Sequence, residues 1–463
     1  MENKKELKFF LNDEENSAST EAEDKKAHKS SHTHSHHSHH GHTSHHRHSS
    51  KKRSQQKNKK QKENFKNFIK RNKKYLIYLG ITLLLILSLV IFGVYLDSIM
   101  SYSDGSEDED SNDITEQTYS DLKISVPFFE DEVVIVGPAV VELMNADSSV
   151  EVKNIYNKYK STSDRLDVGL PVKLKYNIDK IPEGYNVKST EFLVSETSDF
   201  KSPLVFKTEG SKNYVDVYHL KTNTKYFYKL NITFNNGNEN SVSGSFLTAA
   251  GPRVLTVNGV YNLRDIGGYQ TDSNKTIKQG LLYRGCEIDG SIESEYKITA
   301  EGLNTMLSVF GIKTDMDLRS SSDNKYGTDA LGNGVKHIYY GAPMYSNVFN
   351  DSVNREAIRK IFSDLADQGN YPVYLHCTYG VDRTGTVVYL LEGLLGMSDE
   401  DMLKDYKLSG LHHGDVSNEQ MTDFINSINL LPGNSTKQKI EGYLLSIGVT
   451  VEEIESIRNI YLG

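Results

Sequence analysis

Residues 75–96, YLIYLGITLLLILSLVIFGVYL, run for 22 residues without a charged side chain. That length matches the ~20 apolar residues that carry a helix across a bilayer. Tyr75, Tyr78 and Tyr95 lie near its ends, where aromatic side chains favour the membrane–water interface. A helix in a soluble core would carry a polar face, and this run has none. A cleaved signal peptide has a short basic lead and an apolar core of ~7–15 residues, whereas 74 residues precede this run. The sequence therefore predicts a single transmembrane helix, and the chain on either side must fold separately.

Charge gives the orientation. The net charge of −9 conceals an asymmetry: residues 51–74 hold twelve Lys or Arg and one acid, Glu63, whereas 97–121 hold nine acids. Basic flanks stay in the cytoplasm, which predicts a cytoplasmic N-terminus and an external C-terminal body, a single-pass protein of the cell membrane. Residues 1–74 include HKSSHTHSHHSHHGHTSHHRH, with 11 of the 16 histidines and no apolar residue to build a core. This segment reads as a disordered tail; imidazoles could collect metal ions there, but nothing in the spacing fixes a ligand geometry. Residues 97–124 read as an acidic, self-repelling linker. Two cysteines in the whole chain exclude a disulfide scaffold, and no nucleic-acid partner is expected.

From 125 to 250 short alternating runs (PVKLKYNI, STEFLVS, YVDVYHL, KYFYKLNITF, SVSGSFLT) are separated by turn residues, the pattern of a β-sandwich. The run LKTNTKYFYKLNITF resembles the E–F corner of fibronectin type III domains, which would make Leu220 a core plug and Tyr226 the corner tyrosine. Residues 125–164 fit either a first strand or a helical lead-in. No chemistry is visible in this segment, so a spacer or binding module is expected.

From 252 to 463 helical and strand patterns mix, as in an α/β domain. The strand YPVYLHC leads into the helix RTGTVVYLLEGLLG, with Ser398 as the N-cap of the next. Five residues, Thr378 to Asp382, separate Cys377 from Arg383. A short loop at a helix N-terminus aims backbone N–H groups at one point and makes an anion site. Gly380 permits the backbone this needs, and Arg383 can grip two phosphate oxygens. A positive environment of this kind favours a thiolate, so Cys377 is placed to attack phosphorus and form a phosphocysteine. Thr384 can donate its hydroxyl to the departing thiolate.

HCTYGVDRTG, residues 376–385, resembles the phosphate-binding loop of cysteine-dependent phosphatases, with His376, Thr378, Tyr379, Gly380 and Val381 as loop residues. NLRDIGGY (262–269), LLYRG (281–285) and GIKTDMDLRS (311–320) extend the likeness to the bacterial atypical, dual-specificity-like tyrosine-protein phosphatases over about 255–463. The resemblance implies a cofactor-free, metal-free phosphomonoester hydrolase, most readily a protein-tyrosine phosphatase. It also implies Asp382 as general acid, with Asp317 the second choice or else a partner of Arg319. Arg264 and Asp265 would brace the site by a salt bridge. Relatives that cleave phosphoinositides often carry lysine where this chain has Val381, which favours phosphotyrosine or another monophosphate ester. The stretch SSDNKYG after DLRS departs from the expected position of an acid. Cys286 reads as a small buried residue or as a redox partner of Cys377. Two other classes compete: a surface protein that captures phosphorylated ligands, which would not need the thiol, and a metal-handling protein built on the histidine tract.

Overall fold

The computed structural model describes residues 123–463, apart from 127–128, 180, 182–183, 210–211, 321–322 and 324–329. The uncharged run at 75–96, the histidine tract and nearly all of the acidic linker lie outside the described residues. Among the described residues no helix is long and apolar enough to cross a membrane.

Period-2 burial builds the first sheets. In the strand Lys225–Phe234 every second side chain is buried, because successive residues face opposite sides of a sheet. This strand pairs antiparallel with Val187–Ser195 and Glu239–Leu247, and Leu204–Glu209 completes a four-stranded sheet. The strands Val172–Lys175 and Tyr214–Val217 form a second, two-stranded sheet. Both sheets contribute to one core that includes Phe192, Leu230, Phe234, Val172 and Leu174. Leu220 is buried in that core, and the Tyr226 phenol oxygen accepts the Lys221 N–H at 2.9 Å.

The segment that fitted either a strand or a helical lead-in holds the helices Pro138–Asn145 and Val152–Tyr159. They do not join the sandwich. Ala139, Val140, Leu143, Val152 and Ile155 pack with Val254, Leu408 and Leu411, because their apolar residues recur at helical spacing and need a helical partner rather than a pleated one. Lys404 and Lys407 donate to the carbonyls of Met144, Ser148 and Val150, which fastens this lead-in to the C-terminal body. Ahead of these helices the strand Ile124–Ser125 pairs antiparallel with Asn177–Ile178, and Ile124, Val126, Phe129, Val133 and Ile135 pack in the sandwich core, so the segment supplies both a strand and a helical lead-in.

The C-terminal body is a mixed six-stranded sheet in the order Lys336–Tyr339, Thr314–Asp317, Val373–His376, Leu282–Gly285, Arg264–Asp265, Arg253–Val254. The first four strands are parallel and the last two pair antiparallel. Val373–His376 is central and buried throughout, as a parallel strand covered on both faces must be. The helix Asp382–Leu395 follows it and buries every residue from Thr384 to Leu395, which explains its mainly apolar sequence. Gly396 ends it in the left-handed region at φ +88°. The loop between this strand and helix therefore lies at the carboxyl edge of the parallel strands, where α/β sheets place ligands.

Candidate active site

The loop is held through its carbonyls. Thr378 O accepts from Glu287 N at 2.9 Å, and Tyr379 O accepts from the Asn262 side-chain amide at 3.2 Å. Gly380 O accepts from Arg284 at 3.0 Å and from Asn262 at 3.3 Å. In a planar trans peptide the N–H points opposite to the C=O. With three consecutive carbonyls turned outward, the N–H groups of Tyr379, Gly380 and Val381 point to the other side of the loop, and the helix N-terminus follows directly. This is an anion cradle. Gly380 lies at φ +66°, and a Cβ there would stand 2.4 Å from Gly285 O, so both its conformation and its space demand glycine.

Cys377 is buried at the start of the loop, 3 % exposed. Thr384 is fully buried in the first turn of the helix, and its Oγ1 has no hydrogen-bond partner among the described residues. A buried hydroxyl without a partner costs free energy unless a ligand or a reacting atom uses it. Arg383 is partly exposed and lies 3.4 Å from Asp323 Oδ2. An acid thus does reach the loop from SSDNKYG, although the spacing departs from the expected one.

Asp382 Oδ1 accepts from the Tyr345 hydroxyl at 2.5 Å and from Ser417 Oγ at 3.4 Å. The Tyr345 hydroxyl also meets that of Tyr406 at 2.7 Å. Burial, Tyr406 and Asp382 together raise the Tyr345 phenol well above its ordinary range, so it stays a proton donor. Tyr345 sits at φ +50°, a costly backbone for an aromatic residue. Thr386 Oγ1 accepts its N–H at 2.7 Å and fixes it against the helix.

Asp317 is used differently. It is buried, and Arg319 donates to it from Nε, NH2 and the backbone N–H at 2.7–3.1 Å. Burial would raise its carboxyl, but His376, His337 and Arg319 outweigh that and hold it well below the usual carboxylate range. A carboxylate so held is a poor proton donor. Arg319 also pairs with Glu287 and Asp289, ordering the segment that caps Thr378 O. Burial lowers His376, but the carboxylates of Asp317 and Asp315 overcome it and raise the ring to about 9. Its Nε2 lies 3.0 Å from Asp315 Oδ1; both atoms lack an aligned hydrogen bond, so the contact is an ion pair of poor angle.

Arg264 and Asp265 do brace the region, though not with each other. As neighbours on a strand they face opposite sides of the sheet. Arg264 pairs with Asp405 at 2.9 Å, and Asp265 with Arg253 at 2.8 Å. Asp405 also takes Arg284 at 2.6 Å, and all three of Arg264, Arg284 and Asp405 are buried. Val381 packs in the core beneath the loop, 6 % exposed. It therefore presents no side chain to a ligand, and its bearing on specificity is indirect. Two partly exposed acids contact loop residues: Asp323 lies against Arg383, and Glu293 accepts from Tyr379 OH at 2.7 Å. Cys286 is an unpaired, fully buried thiol. It donates to Tyr379 O at 3.2 Å, and burial raises it well above the ordinary thiol range.

Sequence reasoning missed Asn262, Arg284, Asp405 and Tyr345. The first two lie inside the motif blocks already singled out. Asp405 sits in an acid-rich helix where nothing distinguishes a buried acid from a surface one.

Residues 255–463 match the tyrosine phosphatase family. A tyrosine-protein phosphatase of Nostoc commune is 24% identical over 196 residues, which cover 33% of this chain and 67% of that protein. A Cupriavidus necator protein provisionally called a tyrosine-protein phosphatase is 24% identical over 181 residues, or 34% of this chain and 63% of that one. The chain thus spans about two thirds of the length of these relatives. Among solved structures, the core catalytic domain of a PP-IP phosphatase from S. cerevisiae, in complex with citrate, is 16% identical. The match covers 35% of this chain and 80% of that one, with a TM-score of 0.22; so small an overlap carries no argument. The family match supports a phosphatase in the C-terminal body.

Proposed function

We propose that the C-terminal body hydrolyses phosphomonoesters, phosphotyrosine in proteins foremost, through a phosphocysteine intermediate. The observation that carries this reading is the trio of outward-held carbonyls at Thr378, Tyr379 and Gly380. They leave inward N–H groups beside Cys377 and Arg383. In the first step the Cys377 thiolate forms the S–P bond while the P–O ester bond breaks, and Asp382 gives its proton to the leaving oxygen. In the second, water attacks phosphorus and loses a proton to the Asp382 carboxylate. The S–P bond breaks, inorganic phosphate leaves, and Thr384 donates to the returning thiolate. Arg383 and the loop N–H groups hold the equatorial oxygens throughout; a phosphate must first take Arg383 from Asp323.

The acids on Asp323 and Glu293 disfavour a polyphosphorylated ring, which supports monoesters over phosphoinositides. The charge asymmetry around 75–96 supports a membrane anchor with this body outside the cell, and the sandwich-like portion reads as a fibronectin type III-like spacer. Turnover of p-nitrophenyl phosphate and of phosphotyrosine, phosphoserine and phosphoinositide substrates, by wild type and Cys377→Ser, tests the chemistry. Retained turnover in Cys377→Ser would refute it. Protease accessibility on intact cells tests the location.

A further inference from the structure

Behind the loop, on the side away from the proposed phosphate, lie Cys286, His412 and His413. One ligand atom from each falls within 4.8 Å of the other two. We propose that these three side chains bind a zinc ion, and that zinc there loosens the phosphate loop.

Thiolate and imidazole are the donors zinc prefers, and three protein ligands leave a fourth position for water. His412 is oriented for the task. Its Nδ1 faces Asp167 Oδ2 at 3.5 Å, and Asp167 is itself gripped by Arg165 at 2.9 and 3.1 Å. A carboxylate on one ring nitrogen directs the other toward a metal. That other nitrogen, Nε2, meets the Tyr296 hydroxyl at 3.2 Å. His412 and His413 are partly exposed, which provides an entry path.

The coupling follows from which bonds these ligands already make. Cys286 Sγ and His413 Nε2 both contact Tyr379 O, at 3.2 and 2.9 Å. When zinc binds, the Cys286 S–H proton passes to solvent and a Zn–S bond forms. A thiolate has no proton to donate, so Tyr379 O loses that hydrogen bond. The ligand atoms must also draw in to zinc bonds of ~2.0–2.3 Å, pulling away from the peptide that orients the Gly380 N–H. Because coupling is reciprocal, an oxyanion in the loop must weaken zinc binding by the factor that zinc weakens the oxyanion. The zinc site stands without the phosphatase reading; only its inhibitory effect rests on it.

The chain holds two cysteines and the histidine tract holds none, so a thiolate-to-metal band reports this region even in the full chain. The full chain carrying Cys377→Ser is titrated with Co²⁺ as the spectroscopic probe, and a thiolate-to-cobalt charge-transfer band is expected. Adding Cys286→Ser should abolish it. Adding His413→Gln, which keeps the thiol, should weaken it at least ~10-fold in cobalt affinity, and zinc should displace the band. Absence of the band in Cys377→Ser, or a band in wild type that Cys377→Ser alone removes, would overturn the site. For the regulatory half, the zinc concentration that half-inhibits p-nitrophenyl phosphate turnover should rise at least ~10-fold in His413→Gln; an unchanged value overturns it. A chain with the band but no turnover in any variant would sink the phosphatase reading and leave the zinc site standing.

Discussion

Asp405→Asn probes the foundation of the loop. Asp405 is 1% exposed and lies against two buried guanidinium groups, Arg264 at 2.9 Å and Arg284 at 2.6 Å. Asparagine keeps the shape but removes the carboxylate that both guanidinium groups pair with; the other buried carboxyl near them, Glu392, is itself raised well above its ordinary range by burial and by Asp405. Breaking a buried pair by removing one partner costs ~3–5 kcal/mol. For a body of this size each kcal/mol moves the melting temperature by ~2–4 °C, so a fall of about 6–20 °C is expected by calorimetry. The pH dependence has a defined sign. Burial raises the Asp405 carboxyl, but Arg264 and Arg284 outweigh it and hold it below its ordinary value. A depressed carboxyl contributes stability above its unfolded pKa of ~3.9, and that contribution is lost as pH falls through the folded value. The gap between wild type and Asp405→Asn should therefore hold at neutral pH and narrow below about pH 4. Since Arg284 also donates to Gly380 O, turnover should fall even where the variant is fully folded. A melting temperature within ~2 °C of wild type at pH 7 would refute the reasoning, because it would mean the two arginines do not depend on this carboxylate.

Asp382→Asn should lower kcat by ~10²–10⁴ on phosphotyrosine peptides and by less on p-nitrophenyl phosphate, whose leaving group needs little protonation; equal losses on both would argue against a general acid. Tyr345→Phe removes the 2.5 Å hydrogen bond to Asp382. A hydrogen bond to a charged group is worth ~1.5–3 kcal/mol, so kcat should fall by about 10–100-fold and the pH–rate profile should shift, whereas a purely structural role would leave that profile in place. His376 contributes in the opposite pH direction to Asp405. Its ring is raised to about 9, so its stabilisation is full below its unfolded value of ~6.5 and is lost as pH rises through about 9. His376→Asn should flatten that alkaline loss in a urea-unfolding series, and an unchanged slope would count against the ion pair with Asp315 and Asp317.

The loop was legible because its chemistry is local. Cys377, Gly380, Arg383 and Thr384 lie within eight residues, each of a type that the proposed phosphate site calls for, between a strand and a helix that announce themselves by apolar runs. One helix start was legible for the same reason: Ser398 caps its helix with its own side chain. What the sequence could not display is pairing across long separations. Arg264 and Asp265 are adjacent in sequence and suggested a pair, yet the strand sends them to opposite faces and their partners stand 141 and 12 residues away. Val381 looked like a specificity position because it stands in the loop, but the first turn of the helix points it into the core.

The loop is also held from outside the C-terminal body, by the stretch that follows the helix Val152–Tyr159. Asp167 lies 210 residues before Cys377 in sequence, ahead of the sandwich-like strands, yet its Oδ2 accepts the Asn262 N–H at 2.7 Å. Asn262 in turn holds the carbonyls of Tyr379 and Gly380. On the far side of the strands, Arg253 donates to the carbonyls of Leu220 and His219 and pairs with Asp265. The C-terminal body is thus tied both to the stretch that carries Asp167 and to the sandwich-like portion itself. A fragment beginning at residue 252 would lose the acid that positions Asn262, and it would leave Arg253 without two of its acceptors. Such a fragment should show lower turnover than a chain that begins before the helix Pro138–Asn145, even if both fold. Equal turnover would mean that Asn262 keeps its position, φ +52° included, without Asp167.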